Sequence, residues 1–220
     1  MRPPGAKVVV TGHSRGEATP AGATFIAGDI SSVEGVKAIA AKAVLALGGL
    51  DILVNNAGGA RPIAEGTASI PEEEWQASFG LNLFAAVRLT NAVLPVLRES
   101  KVGAIVNISS NAARMPFGPF AHYCAAKAAL DMYSRALALD PGPKGIRVNV
   151  VSPGPVITPG GDEARKAFSD APADVFAQSV PLGRLGSPDD VAEVVALLAS
   201  DRGKWVTGAN ILVDGGMTAR

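Results

Sequence analysis

The chain is poor in residues that crosslink or bind metals. A single cysteine, Cys124, among 220 residues leaves no internal disulfide and no thiolate cluster to form. His13 and His122 are the only histidines, too few and too far from carboxylates to suggest a metal site. Charge of either sign is also scarce as a pattern. Twenty basic residues balance twenty acidic ones and no run of like charge stands out, which argues against nucleic acid or an acidic lipid surface as a partner. The longest apolar stretches are broken by Gly, Pro or charge, and the opening MRPPGAK has no signal-peptide core. The expectation is a soluble, cytoplasmic protein with no membrane partner. No repeat, low-complexity tract or linker divides the sequence, so residues 1–220 are expected to form one domain.

Against these absences, 48% of the residues are hydrophobic, enough for one full core. Short apolar runs alternate with stretches of helical period: KVVV (7–10), TFIA (24–27), DILV (51–54), AIVNI (104–108), IRVNV (146–150) and NILV (210–213). Strands joined by crossover helices in a parallel sheet give this pattern. Ser31 and Glu34 suggest a capping box ahead of a helix with Val33, Val36, Ala40, Ala43 and Leu47 on one face. A longer helical pattern runs from Glu72 towards Pro95, another lies within 121–138, and a last one starts at Ser187 and Pro188. Residues 152–182, with five prolines, follow neither period and read as a substrate loop or lid.

The segment NISSNAARMPFGPFAHYCAAKAAL, 107–130, holds Ser110, Tyr123 and Lys127 in a fixed relation. Tyr123 and Lys127 are four apart on a helix and share a face. An ammonium beside a phenol favours the phenolate, so Tyr123 is expected to titrate below its usual range and to exchange a proton with an alcohol or ketone. Ser110 ends an apolar strand, where its hydroxyl can hold the same substrate oxygen. A surface pair is the plainer reading of such a Tyr and Lys.

Further motifs stand in order around this segment: Gly28-Asp29-Ile30, Asn55-Asn56-Ala57-Gly58, Asn82 within GLNLFAAVRLT, Ser152-Pro153-Gly154, PLGRLGSPDDVA and TGANILVDGG. Together with Ser110, Tyr123 and Lys127 they resemble the short-chain dehydrogenase/reductase family, in register from about Gly5 to Gly216. The resemblance implies an α/β fold of Rossmann type, a doubly wound parallel sheet truncated in its first nucleotide-binding half, with hydride passing between a nicotinamide and a small-molecule carbonyl or alcohol. It also implies roles. Tyr123 is the general acid/base, Ser110 orients the carbonyl, Lys127 binds the nicotinamide ribose, and Asn82 holds a water linking Lys127 to solvent. Asp29 and Ile30 meet the adenine, Asn56, Ala57 and Gly58 pass beneath the adenosine ribose, and Val156 and Thr158 meet the carboxamide. Ser109, Trp75 and Trp205 read as packing residues, Cys124 as a small helix residue and His122 as a wall of the substrate pocket. Homodimers or homotetramers are implied through the helices of Asn82 and Tyr123.

Members of the family open with a strand, a glycine turn TGxxxGxG, a helix and a second strand before the strand that carries the Gly-Asp pair. Only one strand fits ahead of that strand here, and Pro20 and Gly22 exclude a packed crossover helix after it. TGHSRG is therefore either the phosphate loop without its helix or, as we prefer, the turn after the second strand. In both readings Ser14 and Arg15 approach cofactor phosphate. Directly after the strand no acidic residue stands to bind a free 2′-hydroxyl, and Arg15 suits a 2′-phosphate, so NADP is expected, with NAD possible. Two functions follow: an NADP-dependent oxidoreductase, or a catalytically silent relative serving as an oligomeric or regulatory binding protein.

Overall fold

A computed structural model describes residues 5–14, 19–140, 145–166 and 172–219. Strands and helices follow in the order β1 (Val9–Gly12), β2 (Thr24–Ala27), α1 (Val33–Leu47), β3 (Ile52–Asn55), α2 (Glu72–Phe79), α3 (Ala85–Leu97), β4 (Ala104–Ile108), α4 (Ala121–Leu139), β5 (Arg147–Pro153), α5 (Pro159–Lys166), α6 (Ala173–Ala177), α7 (Pro188–Ala199) and β6 (Asn210–Val213). All strand pairs are parallel, as the alternation of apolar runs and helices requires.

The hydrogen-bonded order is β1-β2 in one sheet and β3-β4-β5-β6 in the other. This separates the two readings of TGHSRG. In the doubly wound order 3-2-1-4-5-6, a first strand lies between the second and the fourth. Were β1 that first strand, it would pair with β3. Among the described residues it pairs only with β2, in the register Val9↔Thr24 to Gly12↔Ala27. β1 therefore takes the second-strand position, and Gly12 to Ser14 lead into the turn behind it.

β4 is buried at all five positions because helices cover both of its faces. On one face Leu53, Ile105 and Val148 pack with Val93 and Leu97 of α3, Leu137 of α4 and Ala40 of α1. On the other, Val106, Ile108 and Val151 meet Leu198 and the half-buried Val191, Val194 and Val195 of α7. Each fully buried Val, Leu or Ile among them contributes roughly 1.5–3 kcal/mol by leaving water. Arg147 completes the α7 end: its guanidinium donates to the carbonyls of Leu198 (2.5 Å), Gly203 (3.0 Å) and Ser200 (3.3 Å), groups left without partners where a helix stops.

Several local expectations need adjusting. The cap of α1 is Ser32, whose hydroxyl accepts from Gly35 N, while Ser31 bonds Asp29. Two adjacent serines offer the same chemistry, and the one whose backbone is extended at the helix start takes the role. Ser187 does cap α7, within a box closed by Asp190. The excursion at 152–182 contains α5 and α6 rather than irregular chain alone, and its inner end is pinned by buried Ala177, Val180 and Leu185.

The largest departure concerns α2 and α3. They join through a π-helical turn, Gly80–Phe84, into one helix over Glu72–Leu97 that is long and apolar enough, by length and composition, to cross a membrane. Gly80 and Pro95, expected to break the apolar run, lie within it. Here the helix packs into the core, and its buried Asn82 and Thr90 bond inside the protein.

Candidate active site

The carboxyl ends of parallel strands form the edge where doubly wound proteins bind ligands, and the residues singled out by sequence gather there. Ser110 follows β4, extended in backbone, and its Oγ accepts from Ala112 N (3.1 Å) at the start of a 3-10 turn. Its hydroxyl also acts on the Tyr123 phenol, opposing the effect of burial there. Ser109, one residue earlier, turns inward and donates to the Lys127 carbonyl at 3.2 Å. One serine therefore serves the edge and the other the helix.

Tyr123 stands in the first turn of α4, packed against Ala112, Phe120 and Cys124. Lys127, one turn on, is 2% exposed. Its Nζ donates to Ile108 O (2.8 Å) and lies 5.7 Å from the centroid of the Tyr123 ring. Burial pulls the Lys127 ammonium down to about 8, with Asp131 opposing the fall. For Tyr123 the expectation of a lowered titration does not hold. Burial pushes its phenol up, and the Ser110 hydrogen bond offsets this only in part. The lysine sits against the ring rather than at the hydroxyl, so desolvation outweighs its charge.

Asn82 is 1% exposed in the π turn. Its Oδ1 accepts from Gly59 N (3.0 Å) while Nδ2 donates to Gly59 O (2.9 Å) and Ser78 O (2.9 Å). A π turn carries one extra residue and redirects a side chain, here onto the loop after β3. That loop explains its glycine. A Cβ on Gly58 would lie 2.8 Å from Lys127 Nζ and 2.9 Å from Asn82 Oδ1. Only a residue without one lets the ammonium and the amide approach the same point. Asn56, Ala57 and Gly58 are exposed, facing outward from this junction.

The remaining candidates lie around this centre. Asp29 follows β2 with its carboxylate on Ser31 N (2.8 Å) and Ser31 Oγ (2.9 Å), which hold it below the usual carboxylate range; Ile30 is half-buried beside it. Val156 pairs with Gly186 in an isolated bridge, and Thr158 Oγ1 accepts from Gly161 N (3.0 Å) at the start of α5. Ser14 is exposed behind β1, whereas Arg15 lies outside the described residues. Two readings fail. His122 is 1% exposed, its ring edge-on to Trp75 at 6.2 Å between α2 and α4, so it cannot wall an open pocket. Trp205 is 97% exposed and packs into no core. Among the described residues no group of acidic, histidine and cysteine side chains could hold a metal ion.

Sequence reasoning missed the buried amides behind the site. Asn55 Nδ2 donates to Asn107 Oδ1 (2.8 Å) and Thr90 Oγ1 (3.2 Å), and Asn107 Nδ2 to Ser134 Oγ (2.8 Å), linking β3, β4, α3 and α4. Asn107 interrupts an apolar strand, which was the available signal. Asp131 was also missed, although it continues the Tyr123, Lys127 spacing by one more turn.

A doubly wound sheet with a serine, a tyrosine and a buried lysine at one strand edge defines a class of nucleotide-dependent oxidoreductases. Comparison makes the class specific. The family described as enoyl-(acyl carrier protein) reductase matches residues 1–218. The 3beta-hydroxysteroid dehydrogenase 1 of Eggerthella lenta is 39% identical over 200 residues, 89% of this chain and 74% of that protein. The 3-oxoacyl-(acyl-carrier-protein) reductase FabG of Escherichia coli K12 is 37% identical over 189 residues, 86% of this chain and 75% of that one. The ligand-free aldohexose dehydrogenase of Thermoplasma acidophilum superimposes with a TM-score of 0.86 at 30% identity, covering 97% of this chain and 85% of its own. The chain belongs to the short-chain dehydrogenase/reductase family of oxidoreductases.

The family uses NAD(P), and the residues fit its two ends unequally. At the nicotinamide end, Lys127 has spent one of three protons on Ile108 O, and its other two suit a ribose diol. At the pyrophosphate end, the described residues supply no helix starting directly behind β1; after β1 the chain reaches β2, and the next helix is α1. Helix N-termini are the usual source of oriented N–H groups for phosphate.

Proposed function

We propose that the chain interconverts a ketone and a secondary alcohol with a nicotinamide cofactor, NADP in preference to NAD. The gathering of Ser110 behind β4 and Tyr123 in the first turn of α4, with buried Lys127 against the ring, carries this reading. When bound, a reduced nicotinamide supplies hydride to the carbonyl carbon. Ser110 donates a hydrogen bond to the carbonyl oxygen and fixes it beside Tyr123. Tyr123 gives its proton to that oxygen as negative charge develops, leaving a phenolate and the alcohol. A phenol held above its usual range is protonated near neutral pH and so ready for this acid role. Lys127 stabilises the phenolate by charge and holds the nicotinamide ribose. Asn82 Oδ1 and Lys127 Nζ lie 2.9 Å and 2.8 Å from one point beside Gly58, close enough for a single water to bridge them and return the proton. Val156 and Thr158 meet the carboxamide, Asn56 to Gly58 the adenosine ribose, and Asp29 and Ile30 the adenine. Arg15 answers a 2′-phosphate.

A homodimer or homotetramer is proposed through the helices of Asn82 and Tyr123, supported by exposed Phe84, Met132 and Leu139. Light scattering should give a mass above that of one chain; a monomer would contradict it. The second reading, a silent binding protein, draws on the absence of a helix directly behind β1 among the described residues. Loss of NADPH absorbance with a panel of ketones separates the two. Turnover dependent on Tyr123 supports the enzyme, and none with any ketone supports the silent relative.

A further inference from the structure

Tyr123, Lys127 and Asp131 stand at intervals of four on α4, so one helix face carries the acid, the cation and a carboxylate. Asp131 is not a free surface charge. Its Oδ2 accepts from Asn210 Nδ2 at 2.6 Å, and Asn210 Oδ1 accepts from Ser152 Oγ at 2.8 Å. Oδ1 is sealed from solvent and has no hydrogen-bond partner among the described residues. The group thereby joins α4 to β6 and β5. The charges facing it are Lys127 and Arg135 from α4 and Arg114 from the turn after β4. In turn, Asp131 is the charge that acts on Lys127 against the pull of burial.

We propose that Asp131 is a positioning residue for the reaction: it clamps the catalytic face of α4 to β6 through Asn210 and supplies the negative charge that keeps the Lys127 ammonium protonated. A buried cation without a counter-charge surrenders its proton. Lys127 would then lose the charge that stabilises the Tyr123 phenolate. Removal of Asp131 should therefore act most at alkaline pH and least at acid pH, where Lys127 stays protonated either way. Burial holds the Asp131 carboxyl above the usual carboxylate range, so its own influence on Lys127 fades as it protonates towards acid pH.

The inference rests on the oxidoreductase reading for its kinetic arm only. In the cofactor-free full chain, the Lys127 Cε resonance is followed against pH by carbon NMR, assigned by its loss in Lys127→Met. The wild-type midpoint is expected near about 8, and Asp131→Asn should lower it by about one unit. Asp131→Glu should restore most of the shift. In the kinetic arm, the alkaline limb of kcat should move down by the same amount, with KM little changed and acid-side activity within about twofold. An unmoved NMR midpoint, or a loss equal at every pH, overturns the proposal. Should Asp131→Asn not fold, the double variant Asp131→Leu/Asn210→Leu replaces the pair by packing and carries the same expectation for the NMR midpoint. Asn210→Ala tests the clamp alone: it should lower kcat at all pH, and an unchanged kcat overturns that half. If the wild type reduces no ketone, the NMR arm still decides the role of Asp131, and the failure falls on the proposed function.

Discussion

The two sheets of this protein differ in how completely they are covered. β3 to β6 lie under α1, α3 and α4 on one face and α7 on the other, with amides bonded across strands deep inside. β1 and β2 are four residues each, and β1 is half-buried at every position. Where the cover gives out, apolar surface shows: Val54 of β3 is 40% exposed, while Val106 beside it, under α7, is 0% exposed. The groups proposed for proton transfer belong to the covered half, whereas Asp29 and Ile30, proposed to meet the adenine, follow β2 in the open half. Proton transfer and adenine contact thus rest on separate physical supports.

The strongest separation comes from Tyr123→Phe. Turnover should fall by ~10³-fold or more, while nicotinamide affinity stays within about twofold, since the proposed ribose contact belongs to Lys127. A stopped assay accompanied by lost binding would break the division. Next, Asn107→Leu strands Asn55 and Ser134 without their partner and should cost about 3 kcal/mol in urea denaturation. In the open half, Ser14→Ala should change stability by less than about 0.5 kcal/mol. Similar costs at both positions would mean that the two halves are equally buried.

A finer probe is Gly58→Ala, which drives a methyl between Lys127 and Asn82 and should lower kcat by about tenfold. At Gly59 a Cβ meets nothing within 4 Å, so Gly59→Ala should stay near wild type. The smallest effect is in pH dependence. In the folded, cofactor-free chain burial pulls the Lys127 ammonium down to about 8 from an ordinary 10.5. The unfolded chain therefore binds more protons between these values, and stability contributed by this residue rises with pH across that window. Below about pH 8 the buried charge costs stability. Melting temperatures of Lys127→Met should consequently exceed wild type most near pH 7 and converge with it towards pH 10. A gap constant with pH would contradict the burial of a charged lysine.

The sequence carried the strand positions, the Ser187 cap and the gathering of Ser110, Tyr123 and Lys127, because each leaves a local period or spacing. What it hid arises from long-range competition. Asn55 and Asn107 meet across 52 positions, and nothing local pairs them. The π turn at Asn82 adds one residue to a helix whose apolar pattern survives on both sides. For Tyr123, spacing revealed the lysine but not the depth of burial that overrides it. Trp205 looked like core by composition, yet it stands in the solvent-facing turn before β6. The choice between two readings of TGHSRG needed the pairing of β1, which no string of glycines states.

Nicotinamide fluorescence during titration of the full chain with NADPH tests the central claim most directly. The account predicts a saturable change that Lys127→Met abolishes and Tyr123→Phe preserves. No change up to millimolar NADPH, or one that Lys127→Met leaves intact, would contradict it.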